Sequence, residues 1–248
     1  MVDGVRRYNR SFLADAEQRV IRWTLPRIPP YVTSLHLTYL GLAGSFLAGC
    51  ALIGCNWSSF WLPLVLFGVA LNWFGDSFDG SLARYRIAER PKFGFLVDHT
   101  CDLFSQVVII ICFGLSPFLS LIGAFVVLLC YLLFSAYTYI RAAVQNIHQM
   151  AYIGVGATEF RILMIVWALI GSAIGLREPS FVGTGLSKLD MTIMFLGAMA
   201  VIGLAIKAIT DARAIATEET EAQERLQRAV ADSAHNRIPA YQSADEGG

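Results

Sequence analysis

Six stretches of this chain are each long and apolar enough to cross the hydrocarbon core of a bilayer, which leaves little sequence for anything else. A spanning helix needs roughly twenty predominantly apolar residues to cover about 30 Å. The stretches run from about Ser34 to Gly54, Phe60 to Phe78, Phe95 to Leu115, Leu119 to Ile140, Phe160 to Leu176 and Met191 to Ile209. The whole chain is 56% hydrophobic and 15% charged, against roughly 45 to 50% and 25% in a soluble domain. The expected fold class is therefore all-α: a polytopic membrane protein with six transmembrane helices among membrane lipids.

Lys and Arg accumulate in loops that stay cytoplasmic. Of the 19 basic residues, only Arg177 and Lys188 fall opposite the N-terminal arm, the loop around Arg84 to Lys92, the helix ends at Arg141 and Arg161, and the C-terminal tail. Both termini and the second and fourth loops are expected to face the cytosol. Before the first span, Phe12, Leu13, Val20, Ile21 and Trp23 alternate with Asp15, Glu17, Arg19 and Arg22, a pattern for an amphipathic helix on the membrane surface that Pro26, Pro29 and Pro30 would stop. The domain reading is 1-30 as cytosolic amphipathic arm, 31-211 as transmembrane catalytic domain and 212-248 as a tail, helical through Glu218 to Arg228 and disordered in composition after Ser233. The first thirty residues hold no short apolar core with a small-residue cleavage site, so no removable signal segment is expected. A formal net charge of +0 gives no bulk field for nucleic acid. The five cysteines make no CxxC or Cys/His pattern and read as reduced packing residues.

Carboxylates beside membrane spans are costly, so their presence calls for a function. Asp76 and Asp79 are three apart at the end of the second span, and Asp98 and Asp102 four apart near the start of the third. Either spacing puts both side chains on one helix face. A short loop joins the two spans, so the pairs can face each other across a helix hairpin. Four carboxylates at such proximity require a compensating cation. All-oxygen ligands without paired histidines or thiolates fit hard ions, Mg²⁺ or Mn²⁺, which also hold phosphate oxygens. The residues thus point to a metal-assisted phosphoryl-type transfer. Gly80 and Ala83 keep the helix face thin for a ligand, Arg84 could hold phosphate, and Gly94, one turn before Asp98, could thin the facing helix; close helix packing is the competing explanation for both glycines.

The run Asp76-Ser-Phe-Asp79-Gly80-Ser-Leu-Ala83-Arg84, followed by Gly94-Phe-Leu-Val-Asp98-His-Thr-Cys-Asp102, resembles the signature of the CDP-alcohol phosphotransferase family, with all eight signature positions filled. The resemblance implies a two-metal site held by Asp76, Asp79, Asp98 and Asp102, with Asp102 completing the shell or deprotonating the acceptor hydroxyl. It places Asp76, Gly80, Ala83 and Arg84 beside the cytidine diphosphate, and it implies a CDP-alcohol donor, a lipid or polar-alcohol acceptor, release of CMP in phospholipid biosynthesis, and a homodimer. Asp98-His99 before Asp102 is similar to the form in choline and ethanolamine phosphotransferases, although Thr100 stands where those have glycine, and Thr158-Glu159 resembles a pair found there in that group. These features lean toward a CDP-aminoalcohol donor and lipid acceptor. Arg141 and Arg161 could instead hold a phosphorylated acceptor, or serve as topology anchors. The stretch Thr33-Ser34-Leu35-His36-Leu37-Thr38 lacks the Pro-Asn pair that many members carry near the nucleotide, so that contact is not carried over.

Three other readings stand beside this one. A phosphatidyltransferase would consume CDP-diacylglycerol and a small polar alcohol. A cation or proton transporter would distribute its acids across the bilayer depth, whereas here they gather at one end of two spans. A non-catalytic scaffold would be expected to have lost part of the motif, which is complete.

Overall fold

The computed structural model describes residues 6–8, 14–145, 147–149, 157–176 and 186–235. Among these residues seven helices carry the fold: α1 (Ala14–Thr24), α2 (Ser34–Gly54), α3 (Leu62–Tyr85), α4 (Pro91–Gly114), α5 (Leu121–Gln145), α6 (Ala157–Ala173) and α7 (Lys188–His235). The six expected spans fall on α2 to α7. Five of these helices are long and apolar enough to cross a membrane by length and composition, while α6 has 17 residues. Two three-residue strands that the hydropathy pattern does not announce, β1 (Arg6–Tyr8) and β2 (Ile147–Gln149), pair in parallel. Phe12, Leu13, Arg177 and the tail beyond 235 lie outside the described residues.

Local chemistry sets the helix boundaries. Helix α1 ends just before a single 3-10 turn, Leu25–Arg27, at the expected prolines. Thr33 and His36 form a reciprocal cap on α2: the His36 N–H donates to Thr33 Oγ1 at 3.3 Å, and the Thr33 N–H donates to His36 Nδ1 at 3.2 Å. Helices α3 and α4 both carry proline in the first turn, where its missing N–H costs no helical bond. At the far end of α3 the Arg86 guanidinium donates to the carbonyls of Ile28 and Pro29, each at 2.9 Å, and also to those of Pro30 and Val32, pinning the α1–α2 connection. Ile87 then takes a left-handed φ of 53° between α3 and α4.

The seam between α2 and α3 is built from small residues. A Cβ on Gly44 would lie 2.6 Å from the Asn72 nitrogen and 2.7 Å from the Gly68 oxygen, and one on Gly75 would run into the Gly41 nitrogen and the Leu37 oxygen. Only glycine lets these backbones approach so closely, a pairing that substitutes for hydrophobic drive between helices in lipid. Beyond the seam, Ala48, Leu52, Val69, Ile110, Phe113 and Leu128 form the main apolar cluster. A smaller cluster seats α1 and the 3-10 turn that follows it, with Ile21 and Leu25 against Leu37, Phe78 and Leu82. Large apolar side chains such as Leu129 and Phe195 point outward, as a lipid-facing surface requires.

The described residues up to Met199 form one compact unit, and those from Ala200 onward a second. The second is helical, laced by Glu221–Arg225 and Glu224–Arg228 pairs one turn apart. All five cysteines are free thiols.

Candidate active site

The glycine seam brings α2 against the acidic end of α3, and α4 closes the third side. A small pocket results, lined by Thr38, Gly41 and Leu42 of α2, Asn72, Asp76 and Asp79 of α3, and Asp98, Cys101, Asp102 and Ser105 of α4. All four aspartates picked out by their spacing therefore share one cavity. They are close enough to repel one another: Asp79 senses Asp98 and Asp76, and Asp102 senses Asp76 and Asp98.

Three of the acids are held in different ways. Asp79 is 3% exposed; its Oδ2 accepts from Thr38 Oγ1 at 2.7 Å and its Oδ1 from the Gly80 N–H. Asp76 pairs with Arg161 of α6, whose Nη2 lies 2.6 Å from Asp76 Oδ2. The same guanidinium donates through Nε to Asn72 Oδ1 at 2.9 Å, and Asn72 Nδ2 donates to the Gly41 carbonyl at 3.0 Å. Asp98 Oδ2 lies 3.4 Å from His99 Nδ1, while its Oδ1 is buried with no hydrogen-bond partner among the described residues.

Asp98, His99 and Asp102 can each offer a ligand atom within 4.8 Å of the others. Four acids face a single guanidinium, and one buried carboxylate oxygen has no donor among the described residues, an arrangement that a bound cation would satisfy. The donor set thus fits a divalent hard ion. His99 packs its ring on Phe95 at 4.1 Å and Tyr139 at 5.3 Å between centroids, so its orientation is set by aromatic neighbours beside the acids.

The other residues singled out from the sequence fall around this centre. Gly80 and Ala83 continue α3 past Asp79, and Arg84 is exposed, with Nη2 donating to Ser81 Oγ at 3.1 Å. Among the described residues a Cβ on Gly94 would meet nothing within 4 Å, so their packing does not require glycine there. Arg141, near the end of α5, and Glu159, in the first turn of α6, are not among the pocket's lining residues. Arg161 is not a surface anchor: it is 4% exposed and turned onto α3.

Sequence reasoning missed Thr38, Asn72 and Glu17. Thr38 and Asn72 are neutral residues inside apolar runs, and only the α2–α3 seam reveals their proximity to the acids. Glu17 Oε1 accepts from Trp73 Nε1, Ser77 Oγ and Thr158 Oγ1, joining α1 to α3 and α6.

Among solved structures, the chain is similar to the phosphatidylinositol phosphate synthase of Mycobacterium tuberculosis with CDP-DAG bound, a member of the CDP-alcohol phosphotransferase family. The TM-score is 0.50 at 19% identity, covering 76% of this chain and 89% of that one. No family model matches the sequence, and no curated protein matches it. The shared property is the fold, a helical membrane arrangement like that of the synthase.

Proposed function

We propose that this chain, which combines the fold and the signature residues of the CDP-alcohol phosphotransferases, is a metal-dependent enzyme that transfers a phosphoalcohol unit from a CDP-alcohol to a hydroxyl acceptor and releases CMP. The observation that carries the proposal is the convergence of Asp76, Asp79, Asp98 and Asp102 on one pocket. A transporter would need acids along a path through the bilayer; these acids share a single cavity.

In this reading Asp76, Asp79, Asp98 and Asp102 hold Mg²⁺ or Mn²⁺, which when bound neutralises the donor's pyrophosphate and favours departure of CMP. Thr38 fixes the Asp79 carboxylate by its hydroxyl, and Arg161 fixes that of Asp76. Asp102 takes the acceptor's hydroxyl proton as its oxygen attacks the phosphorus in line. Gly80, Ala83 and Arg84 border the nucleotide, with the exposed Arg84 guanidinium able to turn onto phosphate.

Two donors fit the pocket chemistry. The CDP-aminoalcohol reading draws on His99 and Thr158-Glu159, but Thr158 donates to Glu17 and the His99 ring is packed between Phe95 and Tyr139, so both have structural work that explains them. The CDP-diacylglycerol reading is supported at least as well, because the similar synthase was solved with CDP-DAG bound. There a small polar alcohol would be the acceptor; of the two arginines considered for its phosphate, Arg161 is already taken by Asp76 and Asn72, which leaves Arg141.

The test is CMP release by the purified protein in liposomes with Mg²⁺ or Mn²⁺, across a panel of CDP-alcohols and acceptors, with Asp102→Asn as control. Release only from CDP-diacylglycerol selects the phosphatidyltransferase reading; release with a CDP-aminoalcohol and a diradyl lipid selects the other. Protein that is folded and binds metal yet releases no CMP from any pair would refute the proposal. The homodimer and the cytosolic placement of the site belong to the same reading, open to mass measurement in detergent and to protease access in sealed vesicles.

A further inference from the structure

We infer that Glu17 is a positioning residue of the active site, one that locks the N-terminal helix α1 onto the two spans carrying Asp76 and Arg161; the inference rests on the transferase reading above. A single carboxylate oxygen, Glu17 Oε1, accepts from Trp73 Nε1 at 3.0 Å and Ser77 Oγ at 2.5 Å on α3, and from Thr158 Oγ1 at 3.3 Å on α6. Ser77 directly follows Asp76, and Thr158 lies one turn before Arg161. Glu17 therefore bridges the same two helices that the Asp76–Arg161 pair bridges, from the side of α1.

The chemistry explains why a carboxylate stands there. Three donors converge on one point, and a carboxylate offers acceptors alone, so no competing donor of its own needs a partner. Bonds to an ionised acceptor are about twice as strong as neutral ones. Helix α1 is anchored independently by Ile21, and the 3-10 turn after it by Leu25, in the apolar cluster with Leu37, Phe78 and Leu82, which keeps Glu17 at this junction. Its outer side exposes Trp23 and Val20 beside Arg19 and Arg22, a composition suited to the lipid–water boundary. The rotation of α6 against α3, and with it the seat of Arg161 on Asp76, depends on a contact outside the signature motif.

The experiment uses the full chain in detergent, as wild type, Glu17→Ala, Glu17→Gln, Thr158→Val and the Glu17→Ala/Thr158→Val double variant. Mn²⁺ affinity is measured by calorimetry, and kcat and donor KM by CMP release. Small misplacements of catalytic groups cost up to about a hundredfold in rate, so Glu17→Ala should lower kcat and weaken Mn²⁺ binding about tenfold, with donor KM little changed. Glu17→Gln, which keeps an acceptor oxygen but loses the charge, should recover part of both. The double variant should be no worse than Glu17→Ala, because both changes break one network. Glu17→Ala with wild-type kcat and Mn²⁺ affinity, altered only in melting temperature, would overturn the inference by making Glu17 a structural staple. Should Glu17→Ala not fold, Thr158→Val removes the α6 arm alone, and unchanged Mn²⁺ affinity there overturns it equally. If wild type binds Mn²⁺ but releases no CMP, the transferase reading fails, while the Mn²⁺ titrations still decide the role of Glu17.

Discussion

Arg161 Nη2 lies 2.6 Å from Asp76 Oδ2 while its Nε donates to Asn72 Oδ1 at 2.9 Å, so one guanidinium from α6 closes on two residues a turn apart on α3. Removing it strands a carboxylate among three others. Breaking a buried pair costs about 3 to 5 kcal/mol, and because Asp76 keeps 20% side-chain exposure the lower end is expected for Arg161→Ala. Arg161→Lys retains the charge but not the two-pronged geometry, and should recover stability more than activity. Thermal unfolding together with CMP release checks this. Wild-type values for Arg161→Ala in both would exclude the residue from the site.

Thr38 offers a finer test of the same centre. Its hydroxyl donates to Asp79 across the α2–α3 seam, and hydrogen bonds to charged groups contribute about 1.5 to 3 kcal/mol. Thr38→Val keeps the shape and loses the donor; Thr38→Ser keeps the donor and loses a methyl. Weaker Mn²⁺ binding is expected in the valine variant alone, read by calorimetry. Equal weakening in both would assign the effect to packing instead.

The acidic half of this site was legible because carboxylates at helical spacing stand out from apolar spans, and the hairpin between α3 and α4 followed from a short loop. The neutral half was not. Asn72 and Thr38 become functional only through partners 31 and 41 residues away in sequence, and that pairing depends on Gly41, Gly44, Gly68 and Gly75 lining up, which hydropathy does not encode. Arg161 read as a helix-end arginine because sequence gives its position along the span and not the face it presents. Asp190 shows the opposite case: a buried acid in the first turn of α7, satisfied by Ser120 Oγ and the Ser187 N–H, whose work is to cap helices. Burial of an acid alone therefore does not set the candidate site apart; mutual repulsion and an unpartnered oxygen do.

Asp98 supplies that unpartnered oxygen, and a crossing of stabilities follows from it. With metal chelated, Asp98→Ala relieves repulsion and an unsatisfied buried atom, so the variant should melt above wild type. With Mn²⁺ added the order should reverse, because ligand at a hundred times Kd stabilises wild type by about 2.7 kcal/mol. Melting curves in EDTA and in Mn²⁺ check both limbs. The same order in both conditions would remove Asp98 from the metal shell.

Gly75 and Gly94 stand on neighbouring helices yet predict opposite responses to a methyl group. At Gly75 the added carbon would collide with the backbone of Gly41 and Leu37, atoms that can yield only if α2 moves off α3. Overpacking of this kind costs about 1 to 3 kcal/mol or more, and the displacement would also pull Thr38 from Asp79, so Gly75→Ala should lose stability and metal affinity together. At Gly94 the carbon enters open space in helix α4, where alanine gains about 0.5 to 1 kcal/mol over glycine. Gly94→Ala should therefore melt at or above wild type. Comparing its CMP release with that stability separates two meanings of the glycine: lost activity in a stabilised protein puts the substrate against this face, and retained activity frees the position from the ligand. A destabilised Gly94→Ala would contradict the open space that the fold provides there.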